Sequence, residues 1–205
     1  MRHLILAQQK NIEIPETPEI IVDSNKVFYT TTDNNIITPY SSTAFNATIS
    51  NNSFDNTLNM FVIEFDNVLT EIGSNAFRNR ETLSSMFMPD TVTTIGERAF
   101  YYCSNITEIK TGNGLTTLGN SVFSTCASLR KITLSDKLTS IGQYAFYGLT
   151  ALEELYCPCT TVPTGKYGMF SDINENCKIY VPNSSVESYK SAKYWSDVSD
   201  NIIGM

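Results

Sequence analysis

Four segments of this chain repeat at a fixed interval of 23 residues: LTEIGSNAF at 69–77, VTTIGERAF at 92–100, LTTLGNSVF at 115–123 and LTSIGQYAF at 138–146. Gly73, Gly96, Gly119 and Gly142 fall in one column, and Phe77, Phe100, Phe123 and Phe146 in another. A degraded copy, VPTGKYGMF at 162–170, comes one residue late. A period of this length means a stack of similar coils, because one coil cannot bury its own apolar edge and needs neighbours to cover it. Between the copies run three further columns. They are Leu83, Ile106, Leu129 and Leu152; Met86, Ile109, Ile132 and Leu155; and Met88, Thr111, Leu134 and Cys157. The pattern apolar-x-x-apolar-x-apolar is that of a strand with one buried face. One period earlier it meets Met60, Ile63 and Phe65, and about one period later Ile179 and Val181.

Six stacked parallel strands are therefore expected, around 60–65, 83–88, 106–111, 129–134, 152–157 and 177–181. The Phe column should form an aromatic spine, ring resting on ring. Each repeated Gly sits where the chain must turn, a place that often requires positive φ. The return path should hold a short extended stretch, such as Val92–Ile95, then one turn of helix with Ala99 and Phe100.

The pattern L-T-x-I-G-x-x-A-F-x-x-C-x-x-L resembles the BspA-like (Treponema-type) leucine-rich repeat family over roughly residues 60–182. YTTTDNNIITP at 29–39 resembles the N-terminal cap of its members, and CKIYVPNSSVESYKSAKYW at 177–195 their C-terminal terminator. The resemblance implies an α/β leucine-rich-repeat solenoid of about six 23-residue coils with a parallel concave sheet. It also implies a secreted or surface-attached scaffold acting in adhesion, not an enzyme. Departures are modest: Cys103 and Cys126 fill the Cys column, where Arg80 and Leu149 stand in the flanking repeats. Pro89 and Pro158 fill the Pro column, where Gly112 and Ser135 stand in the others.

Solenoid ends expose an apolar face and an open sheet edge, so both need covers. Residues 18–59 read as a β-rich N-terminal cap, with Val27-Phe28-Tyr29 and Ile36-Ile37 forming a hairpin around Asp33-Asn34-Asn35. Residues 1–17 read as a flexible tail and 183–205 as a helical C-terminal cap. In the latter, Ser184-x-x-Glu187 is a capping-box signal and the helix covers about 185–194. Caps and solenoid together make a single domain.

The chemistry open to this chain is narrow. Its one histidine, His3, lies at the N-terminus, so Ser-His-Asp and Cys-His machinery has no base and multi-His zinc sites are excluded. No cofactor or metal is expected. A net charge of −7 without a basic run argues against nucleic acid. No apolar stretch reaches the ~20 residues of a membrane span, and LILA at 4–7 is too short for a signal-peptide core. Charged residues are only 17%, with 24 Thr, 21 Ser and 19 Asn in their place, a polar balance common on exported proteins. Cys103 and Cys126 read as small buried hydrophobes in the ladder. A Cys159–Cys177 disulfide is an open alternative in an oxidising compartment.

The informative surface is the outer face of the strands. Its third-position column is Ser85, Glu108, Lys131 and Glu154, where opposite charges one strand apart can pair. Its fifth-position column is Glu64, Phe87, Lys110, Thr133, Tyr156 and Tyr180. Three aromatics on one exposed face are the composition of a gripping surface. Phe87, Lys110, Tyr156, Tyr180, Glu108 and Lys131 are the candidate contact residues. The leading reading is a surface or secreted module binding a protein, such as a host or matrix protein. A glycan-binding module using the aromatics and a structural spacer are the alternatives.

Overall fold

A computed structural model describes residues 22–41 and 43–205; the expected tail at 1–17 lies outside the described residues. In chain order the strands are β1 (Lys26–Thr31), β2 (Ile49–Asp55), β3 (Met60–Phe65), β4 (Glu71–Ile72), β5 (Leu83–Phe87), β6 (Thr94–Ile95) and β7 (Glu108–Lys110). They continue with β8 (Thr117–Leu118), β9 (Lys131–Thr133), β10 (Ser140–Ile141), β11 (Glu154–Tyr156) and β12 (Lys178–Val181). Helix α1 (Val186–Ser191) and β13 (Ile202–Gly204) close the chain.

The large sheet has the order β13-β12-β11-β9-β7-β5-β1-β3-β2, and a narrow second sheet the order β10-β8-β6-β4. From β5 onward the large sheet is parallel. Met86 pairs with Ile109, Ile109 with Ile132, Ile132 with Leu155, and Leu155 with Ile179. This column points inward and is buried. The narrow sheet stacks the extended starts of the return paths, so both long sides of every coil are hydrogen-bonded to the next. The repeated Thr adds to this seam: Thr116 Oγ1 donates to Thr93 O (3.0 Å) and Thr139 Oγ1 to Thr116 O (3.0 Å).

Between the sheets lies the aromatic spine. Phe77, Phe100, Phe123, Phe146 and Phe170 stack in sequence, with ring centroids 5.4, 5.7, 6.1 and 5.4 Å apart and planes within 24°. Trp195 meets Phe170 edge-on at 5.1 Å and closes the column.

Four details depart from the sequence reading. First, the repeated glycines are not left-handed; positive φ falls two residues later, at Asn75, Arg98, Ser121 and Tyr144. Gly is required for clearance: a Cβ at Gly96 would lie 2.6 Å from Ser74 N, and one at Gly119 2.6 Å from Glu97 N. The coils touch backbone to backbone there.

Second, no helical turn holds Ala99 and Phe100. Alternate amides of the turn point along the stack instead: Asn75, Phe77 and Asn79 donate to the carbonyls of Glu97, Ala99 and Tyr101 at 2.7–2.9 Å. The intervening amides close i→i+3 turns, such as Tyr101 to Arg98 O. An α-helix would need all of those amides for itself.

Third, Ile36-Ile37 does not pair with β1. That strand instead inserts between β3 and β5, antiparallel to both, with Tyr29 opposite Phe61 on one side and Met86 on the other. The strand at 60–65 forms where the period places it but sits one strand away from the parallel stack. Tyr29 explains the choice: it is fully buried, stacks on Phe61 at 5.2 Å, and its hydroxyl bonds Asn52 and the Ile37 amide.

Fourth, α1 is only six residues long and its cap differs from the expected box. Ser185, not Ser184, precedes the helix, and its hydroxyl donates to Thr160 O. The chain then returns as β13, pairing in parallel with β12, so the last coil is covered by a strand as well as by Tyr189 and Trp195.

Candidate functional site

Because successive strand residues alternate between faces, the inward columns leave Glu108, Lys110, Lys131, Thr133, Glu154, Tyr156, Lys178 and Tyr180 on the outer face. The register sets them in two rows. One row runs Ser85, Glu108, Lys131, Glu154, Lys178; the other Phe87, Lys110, Thr133, Tyr156, Tyr180, Ile203.

The C-terminal end of the face is an organised cluster. Tyr156 and Tyr180 stack with centroids 4.7 Å apart and planes 18° from parallel. Lys131 Nζ lies 5.3 Å from the Tyr156 ring centre. The Tyr156 hydroxyl donates to Glu154 Oε2 at 3.1 Å. β9 and β12 flank β11 on opposite sides, so Lys131 covers one face of the Tyr156 ring and Tyr180 the other. Burial, reinforced by the neighbouring Glu154 carboxylate, pushes the Tyr156 hydroxyl up to about 12. The expected ion ladder does not form: among the described residues no ion pair includes Glu108, Lys131 or Glu154. Lys131 settles over the ring of Tyr156, where a cation gains from the aromatic quadrupole.

Phe87 belongs elsewhere. It pairs across the sheet with Phe28 and packs against the buried Phe28, Met60 and Val62. This small apolar cluster sits on the outer face at the N-terminal end, so Phe87 carries local packing there. Tyr156 stands three strands away, roughly 14 Å at parallel-strand spacing. Between them Lys110 and Glu108 are exposed. The structure thus unites Tyr156, Tyr180 and Lys131, adds Glu154, and separates Phe87.

All five cysteines are buried free thiols. Cys103 and Cys126 donate to Phe77 O and Phe100 O at 3.1 and 3.0 Å, each bonding back to an earlier coil. The Cys159–Cys177 pairing is not made: Cys159 Sγ is directed at Ser135 O (3.2 Å) and lies 3.8 Å from Cys157 Sγ. Among the described residues no group of three or more His, Cys, Asp or Glu gathers to hold a metal ion. A groove of about 600 Å³ at the N-terminal end is lined by Thr30, Thr31, Asn34, Phe54, Asn59 and Phe61, with no acid or base among them.

The sequence reading missed the turn side. Small polar pairs such as Ser74-Asn75 and Asn120-Ser121 make up part of each turn. Yet the turns also carry Arg78, Arg98, Tyr101, Tyr102, Tyr144 and Tyr147, and the exposed Tyr167. These residues occupy the variable positions just before and after each Phe, so alignment of the repeats by their Phe column was enough to see them.

The family model for the BspA type leucine rich repeat region, in six copies, matches residues 6–104 and 47–178. Among solved structures, the Treponema pallidum leucine rich repeat protein is similar at 26% identity and a TM-score of 0.53, covering 60% of this chain and 56% of that one. A leucine-rich repeat protein from Bacteroides ovatus is 27% identical with a TM-score of 0.42, over 57% of this chain and 26% of its own. A leucine rich cell surface protein from Faecalibacterium prausnitzii is 30% identical with a TM-score of 0.39, over 55% and 36%. The chain spans about half of the first structure and less of the others. Among curated proteins none matches.

Proposed function

This chain belongs to the BspA-type leucine-rich repeat family, and we propose that it is an adhesin-like module that grips a protein partner through the outer face of its parallel sheet. A repeat array of this kind is an interaction scaffold in general, and such families are typically non-enzymatic. The observation that carries the specific reading is the Tyr156–Tyr180–Lys131–Glu154 cluster. Its side chains are held by one another and by strands whose backbone is fixed, so little freedom is lost when a partner docks. Tyrosine is among the residue types that dominate protein contacts.

The cluster favours a protein over a sugar. Stacking on a pyranose needs a free aromatic face, and both faces of Tyr156 are occupied. Lys110 and Glu108 extend the surface toward the N-terminal end with one charge of each sign, suited to a partner of mixed charge.

On this reading the protein works outside the cell or on its surface. The resemblance to secreted repeat proteins and the Thr, Ser and Asn-rich composition support that placement. No helix among the described residues is long and apolar enough to cross a membrane.

The test is a binding screen of the whole chain against immobilised matrix proteins and a glycan array. It is repeated with a Lys110→Ala, Tyr156→Ala, Tyr180→Ala variant. A protein ligand whose affinity falls at least tenfold in the variant, about 1.4 kcal/mol, supports the reading. Binding confined to glycans, or unchanged in the variant, overturns it.

A further inference from the structure

The turn side of the stack carries a second surface, distinct from the sheet face. Three of the chain's five arginines, Arg78, Arg80 and Arg98, lie in two adjacent coils. The bond from the Asn79 amide to Tyr101 O seats Arg78 beside Tyr101, and its guanidinium carbon lies 5.6 Å from that ring centre. Arg80 lies 5.7 Å over Tyr40, and its Nε donates to Thr38 O. The Tyr40 amide donates to Ala76 O at 2.7 Å, which fixes the ring against the first of these coils. Arg98 is exposed one coil on, next to Asn75.

Two features of this patch point to a ligand. A guanidinium resting on an aromatic face is held in place while the N–H groups in its plane stay free for oxygen acceptors. Here Arg78 Nε is buried without an acceptor, and Asn75 Oδ1, from the same turn, is buried without a donor. Buried unmatched polar atoms of this kind are costly; they are closed to solvent, but a carboxylate paired with the outer N–H groups of the half-buried Arg78 stabilises the whole delocalised guanidinium and lowers that cost. Among the described residues only Glu97 forms an ion pair with any of the three arginines, at 3.0 Å from Arg98.

We propose that this patch docks an acidic protein segment, its carboxylates on Arg78 and Arg98 and an aromatic or apolar side chain against Tyr102, which is 46% exposed. The shape of the patch selects a peptide over a sulfated polysaccharide. The cations occupy only two coils, about 5 Å apart at strand spacing, and the next coil offers Ser121 and Thr125. A polyanion needs a long run of cations, whereas a pair of carboxylates with an aromatic neighbour needs no more than this. The chain's net charge of −7 acts against an acidic partner at long range, but physiological salt screens it beyond ~8 Å. At contact the local arginines decide.

The experiment titrates a labelled synthetic peptide of alternating Glu and Tyr, its Gln–Tyr counterpart, and heparin against the whole chain by fluorescence anisotropy. The proteins are wild type, Arg78→Gln/Arg98→Gln, and the sheet-face variant Lys110→Ala/Lys131→Ala/Lys178→Ala. The Glu–Tyr peptide binds wild type, and binding falls at least tenfold both for the Gln–Tyr peptide and for the double arginine variant, as loss of a charged hydrogen-bond partner implies. The sheet-face variant binds like wild type, which keeps this outcome separate from that of the matrix-protein screen. If the double variant melts early, the exposed single variant Arg98→Gln carries the comparison, with a loss of about tenfold expected. Absence of peptide binding, equal binding by the arginine variants, loss in the sheet-face variant, or binding of heparin alone each overturns the proposal.

Discussion

Truncating Phe123 removes the middle ring of the spine. The side chain is fully buried, with Phe100 at 5.7 Å on one side and Phe146 at 6.1 Å on the other, both nearly parallel to it. Phe123→Ala leaves a void that coils bonded along both long sides cannot close, and should cost on the order of 3–5 kcal/mol. Phe123→Leu keeps most of the apolar burial but loses two ring contacts, about 0.5–1.5 kcal/mol each, so its cost should fall near 1–3. The loss is not local. Phe100 and Phe123 touch, so their double variant should show a coupling on the order of 0.5 kcal/mol or more, while Phe77 and Phe146, three coils apart, should add. Urea melts followed by circular dichroism give each value, against a total stability of order 5–15 kcal/mol. Costs below about 1 kcal/mol for both Phe100→Ala and Phe123→Ala would mean that the rings do not bear the stack, contrary to the cavity argument.

Gly119→Ala should destabilise more than Gly148→Ala, because the first drives a Cβ into the Glu97 backbone, whereas the second makes ordinary contact with Thr125 at 3.5 Å and bears only the left-handed penalty of about 1–2 kcal/mol; paired thermal melts decide. Removing residues 184–205 strips β13, Tyr189 and Trp195 from the last coil, and light scattering should report aggregation; a soluble chain with an unchanged melting point would refute the covering role. In a native protein the thiol reagent should find no reactive cysteine, with burial pushing Cys177 up to about 12, and all five should react once unfolded. Tyr156 titrates late in the fold, near 12, against about 10 unfolded. Its contribution to stability is therefore full below pH 10 and lost as pH rises toward 12. Ultraviolet titration of Glu154→Gln should show one tyrosine ionising earlier than in wild type.

The repeat made much of this legible. Columns of Phe, Leu and Ile spaced 23 apart fix which side chains share a layer, so the spine, the inward strand columns and the buried Cys103 and Cys126 could be read directly. What escaped has a common cause: it depends on partners far along the chain or on space, neither of which a single segment displays. β1 pairs with residues more than thirty and fifty positions away, and nothing within KVFYTT distinguishes that from a local hairpin. The glycine column looked like a turn signal because Gly serves both positive φ and close approach; only the neighbouring coil's backbone decides between them. NIIGM is too short to read as a strand until β12 offers its edge. On the outer face the candidate residues were legible, but their company was not. Phe87 and Tyr156 occupy equivalent columns, yet one packs on β1 and β3 and the other on Lys131 and Tyr180.

The most direct test of the functional account is the affinity of a captured matrix-protein ligand for the wild-type chain and for a Lys131→Ala, Tyr180→Ala variant. These substitutions remove both neighbours of the Tyr156 ring faces without touching an inward column. The account predicts an intact melt and a dissociation constant raised at least tenfold, about 1.4 kcal/mol; an unchanged constant in a folded variant would contradict it.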